Sequence, residues 1–339
     1  MRKARLHLRL APALCLAAAT TACGASRSGG AALTIYNGQH EQTTIALVKA
    51  FEHSTGIAVS VRSGEESTLA NQILEEGSAS PADVFYSENS PPLEALREHG
   101  LLAPVVPATL AAVPARYSSA QGSWVGVSGR VSVLVYNDTE VPAAQLPSSI
   151  LGLAAPRWKG KVAYAPSETD FQPLVTAIAK LDGAAAAEAW LKGLQSNARE
   201  LPDNESVTAQ VNAGQSELGP INHYYWYRLR REDGSAGFHA ALHYFSPGDP
   251  GYLLNVSGAA VLRSSTRQAA AQKFLAFLVS AEGQRLIAHG DSFEYPLRPG
   301  VQAAAALRPL DQLQPAKLTP AELGDGSAAL ALEQKVGVL

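Results

Sequence analysis

Short apolar runs alternate with helical periodicities along most of this chain. Leu33-Thr-Ile-Tyr36 is an apolar run closed by Asn37-Gly38, and Ile45, Val48 and Phe51 then recur at helical spacing until Gly56. Ile57 to Val61 alternates as a strand, and Ser67 is placed to cap a helix with Leu69, Ile73 and Leu74 on its inner face, stopping at Gly77. Asp83 to Ser87 reads as a third strand, and Pro91-Pro92 opens a helix over Leu93 to His99. Strand and helix in strict alternation predict a mostly parallel sheet covered by helices.

Trp124 to Asn137 is an extended stretch longer than one sheet needs, which predicts a crossover into a second lobe. That lobe takes Lys161 to Ala165 and Gly219 to Asn222 as strands, with helices over Phe171 to Leu181, Ala184 to Leu194 and Ser206 to Ala213. Gly251 to Leu262 is a second long extended stretch, a natural return crossover, followed by amphipathic helices over Gln268 to Val279 and Ala281 to His289. The expected fold is α/β and two-lobed, with residues 33–130 and 255–300 in one lobe and 131–254 in the other. Two lobes joined by extended crossovers are the anatomy of a hinge-bending binding protein. Residues 301–339, rich in Ala, Leu and Pro, are expected as a helical tail packed on the lobes.

Composition narrows the class. At 46% apolar and 17% charged residues in 339, the chain is globular, and a net charge of −3 without a basic block disfavours nucleic acid as a partner. Residues 1–23 read as a targeting segment: Arg2, Lys3, Arg5 and Arg9 precede a short apolar stretch, Leu10 to Ala19. That stretch is too short for a bilayer core, which takes about 20 residues. Thr20-Thr21-Ala22-Cys23-Gly24 is similar to a bacterial lipobox, which implies acylation at Cys23 and a flexible tether over 24–32. Thr20 departs from the aliphatic residue usual there, so ordinary signal cleavage nearby is the alternative. The only cysteines, Cys15 and Cys23, both lie in the leader, which leaves no disulfide and no cysteine metal site in the remainder.

Enzyme motifs fail on inspection. His40-Glu41 begins an HExxH pattern, but Thr44 occupies the second histidine's place, and neither a P-loop nor a GxGxxG turn is present. Gly126-Val-Ser-Gly129 lacks the spacing of a nucleophile elbow. What the pattern does offer is polar side chains just past three strand ends: His40, Glu88, and the pair Tyr224 and Tyr225. Ligands of open α/β sheets bind outside the carboxyl ends of strands. One imidazole, one carboxylate and two phenols without thiolate suit a hard, highly charged cation, Fe³⁺ above the common divalent ions. Each residue also has a plainer reading: His40 as a helix cap, Glu88 as a loop carboxylate, Tyr224 to Tyr227 as a helix start with aromatic packing.

Four blocks, Tyr-Asn-Gly-Gln-His (36–40), Ser-Pro-Ala-Asp-Val-Phe-Tyr-Ser-Glu (80–88), Asn-His-Tyr-Tyr-Trp (222–226) and Val-Ser-Gly-Ala-Ala-Val-Leu (256–262), carry a family resemblance. In order and near-family spacing, the chain resembles the bacterial ferric-ion-binding proteins, periplasmic components of iron ABC importers, over roughly residues 33–299. The resemblance implies a periplasmic-binding-protein fold of the transferrin-like kind, with Fe³⁺ held by His40, Glu88, Tyr224 and Tyr225. It also implies a synergistic anion held by Asn204 and Asn222, with Asn89 where the family often has Gln. The departure lies at Glu168-Thr169-Asp170, where many members carry a neutral Ser-Gly-Ala-type turn. Two carboxylates there would repel a bound phosphate. Either one of them, Asp170 by its shorter reach, takes the anion's place, or both face solvent at a helix N-terminus. The implied partners are an ABC permease with its ATPase and, through Cys23, the membrane; the protein is expected as a monomer outside the cytoplasm. The competing readings are a binding protein for another small solute, such as thiamine, a polyamine or a phosphonate, and a secreted lipoprotein hydrolase.

Overall fold

A run of six largely buried residues, β1 (Leu33–Gly38), starts the architecture, and residues 32–339 are described by the computed structural model. It is followed by α1 (Glu41–Thr55), β2 (Val59–Ser63), α2 (Glu66–Glu76), β3 (Val84–Ser87), α3 (Ser90–Glu98) and the single turn α4 (Pro107–Leu110). β1 lies between β2 and β3 and pairs parallel with both, as the alternating pattern requires. The α2 start differs from expectation. Glu65, not Ser67, is the cap: its carboxylate accepts the backbone N–H groups of Ser67 and Thr68 at 3.0 and 2.7 Å. An ionised acceptor matches the positive end of the helix better than a hydroxyl does.

The long strand β4 (Val125–Asn137) is shared. Between it and the chain's end lie β5 (Ala163–Tyr164), α5 (Phe171–Leu181), α6 (Ala184–Asn197), β6 (Arg199–Glu200), α7 (Asn204–Asn212), β7 (Leu218–Asn222), α8 (His223–Asp233) and β8 (Ala240–His243). Next come β9 (Leu254–Val261), α9 (Gln268–Leu278), α10 (Ala281–Ala288), β10 (Tyr295–Pro296), α11 (Pro320–Leu323) and α12 (Ser327–Val336). Up to Val131, β4 pairs antiparallel with β9 and, at Ser128 and Gly129, with β10. From Ser132 onward it pairs with β7 and β8 instead. β9 also pairs antiparallel with β3, so the sheet runs β10-β4-β9-β3-β1-β2. It is parallel only around β1, and the expectation of a mostly parallel sheet is overturned by the antiparallel pairings that the long strands β4 and β9 make.

Buried apolar side chains form two clusters. One gathers residues from Leu33 to Val127 with others from Val256 to Leu297; Phe51, packed edge-on against Phe274 and Phe277, ties α1 to α9. The other gathers residues from Val131 to Leu253, with Trp190 stacked on Phe171. Tyr295 and the tail residues Leu307, Leu313, Leu323, Ala329 and Val338 join this second cluster, so the tail completes a core rather than merely covering it. α7 begins two residues before the expected Ser206, because Asp203 accepts the Ser206 N–H at 2.6 Å and nucleates the turn there.

Candidate metal centre

The predicted donors meet where β1, β3 and β7 end. A close approach fixes the first: Gly38 lies so near the start of α2 that a Cβ would stand 2.5 Å from Glu66 Cβ. His40 follows at the N-cap of α1, but its side chain caps nothing. Its ring meets the Tyr224 ring edge-on at 4.8 Å between centroids, and its Nε2 is 3.9 Å from Glu88 Oε1. Its Nδ1 is buried without a hydrogen-bond partner among the described residues, 3.9 Å from Glu294 Oε1.

Tyr224 and Tyr225 occupy the first turn of α8, buried, with ring centroids 4.0 Å apart. Tyr224 donates its hydroxyl to Glu88 Oε1 at 3.2 Å. Burial, reinforced by the negative charges of Glu88 and Asp170, pushes both phenols well above their ordinary pKa, so each is protonated until a cation arrives. Glu88 differs. Burial pulls it up, but the His40 and Arg130 charges and the Tyr224 hydrogen bond outweigh this and hold it below the usual carboxylate value. Among the described residues no three His, Cys, Asp or Glu side chains gather as a metal cage; half of this donor set is phenol.

The Glu168-Thr169-Asp170 turn enters the same place. Asp170 is buried, and its two oxygens accept from Asn204 Nδ2 at 2.9 Å and Asn222 Nδ2 at 2.8 Å. The pair of amides that the resemblance assigns to an exogenous anion thus holds a carboxylate of the chain itself. Burial, with the Glu88 charge, raises Asp170 to about 7. Glu168, half-buried, is raised to about 8 by burial and then by Asp170 and Glu205. Thr169 Oγ1 accepts from Asn89 Nδ2 at 3.3 Å, joining the β3 and α5 sides. The solvent-facing reading of Asp170 is overturned, since its oxygens are occupied by two buried amides.

Several residues at the centre carry no motif. Arg130, fully buried on β4, donates Nη2 to Asn89 Oδ1 at 2.6 Å, pairs through Nη1 with Glu294 at 3.3 Å, and sets Nε 3.4 Å from Glu88 Oε1. Its signal in the sequence is being the lone charge in a thirteen-residue strand. Glu66 accepts from Ser87 Oγ, Asn89 N and Asn89 Nδ2 at 2.6, 2.7 and 2.7 Å, fixing the loop that carries Glu88. Burial and the Glu88 charge lift it to about 7. His223 anchors α8: Val131 N–H donates to Nδ1 at 3.1 Å, and Nε2 bonds the Phe293 carbonyl at 2.9 Å. Burial drives its pKa down to about 3, so the ring is neutral. Glu66 and Glu294 leave no sequence signal, because their partners lie far away in the chain. His223 sits inside the Asn-His-Tyr-Tyr-Trp block, but its anchoring role was not readable there.

Comparison with known proteins bears on the family and the fold. The family described as bacterial extracellular solute-binding protein matches residues 79–321. The Fe(3+)-binding periplasmic protein of Serratia marcescens is 40% identical over 307 residues, 91% of this chain and 90% of that protein. The crystal structure of iron-bound HitA from Pseudomonas aeruginosa superposes with a TM-score of 0.87 at 46% identity, covering 90% of this chain and 99% of that one. A Trichodesmium protein solved with iron and citrate superposes at 0.79 with 30% identity, over 90% and 99% of the two chains. These are binding proteins rather than enzymes, and the fold is the mixed α/β periplasmic-binding-protein fold. The chain therefore belongs to the bacterial extracellular solute-binding protein family, in the group whose members are named for ferric iron.

Proposed function

We propose that this protein captures Fe³⁺ through His40, Glu88, Tyr224 and Tyr225 and delivers it to an ABC importer. The observation that carries the reading is the convergence of these side chains from three strand ends, with Tyr224 hydroxyl on Glu88 and the His40 ring beside both. Two buried phenols are poor ligands for ions of low charge, because each must lose a proton against burial and neighbouring carboxylates. A trivalent hard cation offsets that cost and prefers oxygen donors. Asp170, held by Asn204 and Asn222, supplies the negative group that an external anion would otherwise bring, with Asn89 and Thr169 closing the same side. Glu168 stands beside it as a further acid near the metal.

In this reading iron enters between the two cores and is enclosed as the extended segments β4 and β9 flex. The protein works as a monomer, held at the membrane by acylated Cys23, a residue outside those the structure describes, with a permease and its ATPase as partners. Titration with ferric salt tests the iron site. A visible tyrosinate-to-iron charge-transfer band is expected in wild type and none in the Tyr224→Phe, Tyr225→Phe variant. A band that persists in that variant refutes the ligand assignment.

A further inference from the structure

Asp170 accepts through both oxygens from the Nδ2 atoms of Asn204 and Asn222, so each amide faces it with NH₂ rather than oxygen. For Asn222 that choice is made from behind. Its Oδ1 accepts from Asn255 Nδ2 at 3.0 Å and from Ser132 Oγ at 3.3 Å, while its own Nδ2 faces Asp170. Asn255 Nδ2 also donates to Ser132 Oγ at 3.0 Å, which leaves the Ser132 proton directed at Asn222. The three side chains are buried, away from water that could offer a substitute partner.

Their places in the fold are specific. Ser132 is the β4 residue opposite Asn222 of β7, and Asn255 of β9 is opposite Arg130 of β4. The rung where both extended segments pass between the cores therefore addresses both sides of the centre. Arg130 reaches Glu88 and Asn89; Asn255, through Asn222, reaches Asp170. Asn255 Oδ1 has no hydrogen-bond partner among the described residues. A buried, unmatched acceptor is destabilising, and leucine of similar size would avoid it. The amide is explained by what its NH₂ does.

We propose that Asn255 and Ser132 are positioning residues that lock the Asn222 amide with its NH₂ toward the cleft and so fix the side of the metal centre that receives an acid. The proposal rests on the ferric-iron reading above. Without these donors Asn222 is free to turn, and its carbonyl then opposes the Asp170 carboxylate. The test is ferric affinity by competition with a hydroxamate chelator, in the full-length protein, alongside thermal melting. Wild type is measured first: absence of ferric binding there defeats the function and with it this inference. With binding established, Ser132→Ala combined with Asn255→Leu is expected to weaken affinity by about ten- to a hundredfold, the usual range for partners of a metal ligand, while folding is retained. In an Asp170→Asn background the same pair should cost nothing further, because a turned Asn222 carbonyl can accept from the new amide. Wild-type affinity in the double variant, or an equal loss in the Asp170→Asn background, overturns the proposal. If the double variant melts early, Ser132→Ala alone is read instead: a several-fold loss that Ser132→Thr recovers supports the relay, and no loss overturns it.

Discussion

At Asp170 one side chain bears on how the proposed centre is assembled. Its burial and its two amide partners build an acid of the chain into the place where, under the proposed function, an external anion would sit. Ferric affinity should therefore be the same in buffers with and without phosphate or citrate. Asp170→Ala should lower it by at least about tenfold and introduce a requirement for added anion, both read by chelator competition. An anion requirement already present in wild type would contradict this. That His40, Glu88 and the two tyrosines lie just past strand ends was legible from hydrophobic pattern, and strand ends are where α/β proteins bind; their assignment as ligands came from the family resemblance. Glu294 was not. It reaches Arg130 and Gln39 across 164 and 255 residues of chain, and no local pattern encodes such separations. Asp170 lay between: its proximity to the anion's place was readable, whereas its capture by both asparagines required the fold.

Elements were largely legible where their caps or periodicity are strong. α5 covers Phe171–Leu181 and α3 carries its prolines in the first turn, both as the pattern predicted. The cap of α2 was misplaced by two residues, because a side chain that precedes the periodic segment is hard to rank against one inside it. One helix carries a liability that pattern alone does not show. Glu333 of α12 is fully buried, and neither carboxylate oxygen has a hydrogen-bond partner among the described residues. Burial raises its pKa to about 8 from an ordinary 4.5. The folded state thus holds this proton more tightly than the unfolded chain, and stability falls as pH rises from about 4.5 through about 8. Glu333→Leu should raise the melting temperature at pH 8.5, corresponding to about 1–3 kcal/mol, with a smaller gain at pH 4. A gain independent of pH would show that the carboxylate is not the cause. Gly38→Ala tests an element junction: the added Cβ would press on the backbone at Glu66, so a loss of about 1–3 kcal/mol is expected by denaturant titration.

For the whole molecule, the hydrogen bonds Tyr224–Glu88 and Asn89–Thr169 join side chains from segments that feed different cores. Under the proposed function these contacts belong to the enclosed form. Ferric loading should then lower the radius of gyration in solution scattering, and the Tyr224→Phe, Tyr225→Phe variant should show no change with iron. The arrangement also bears on how the chain is made. β9, residues 254–261, lies between β3 and β4 in the sheet, although more than a hundred residues separate it from either in sequence. As synthesis proceeds from the N-terminus, the first core lacks its middle strand until the second core's residues from Val131 to Leu253 have appeared, and the tail that completes the second core follows later still. Two unpaired edges, on β3 and β4, stay open in the meantime. A chain halted before residue 254 should be a chaperone client prone to aggregation, not a stable half-protein, and completion of both cores should register as a single cooperative event.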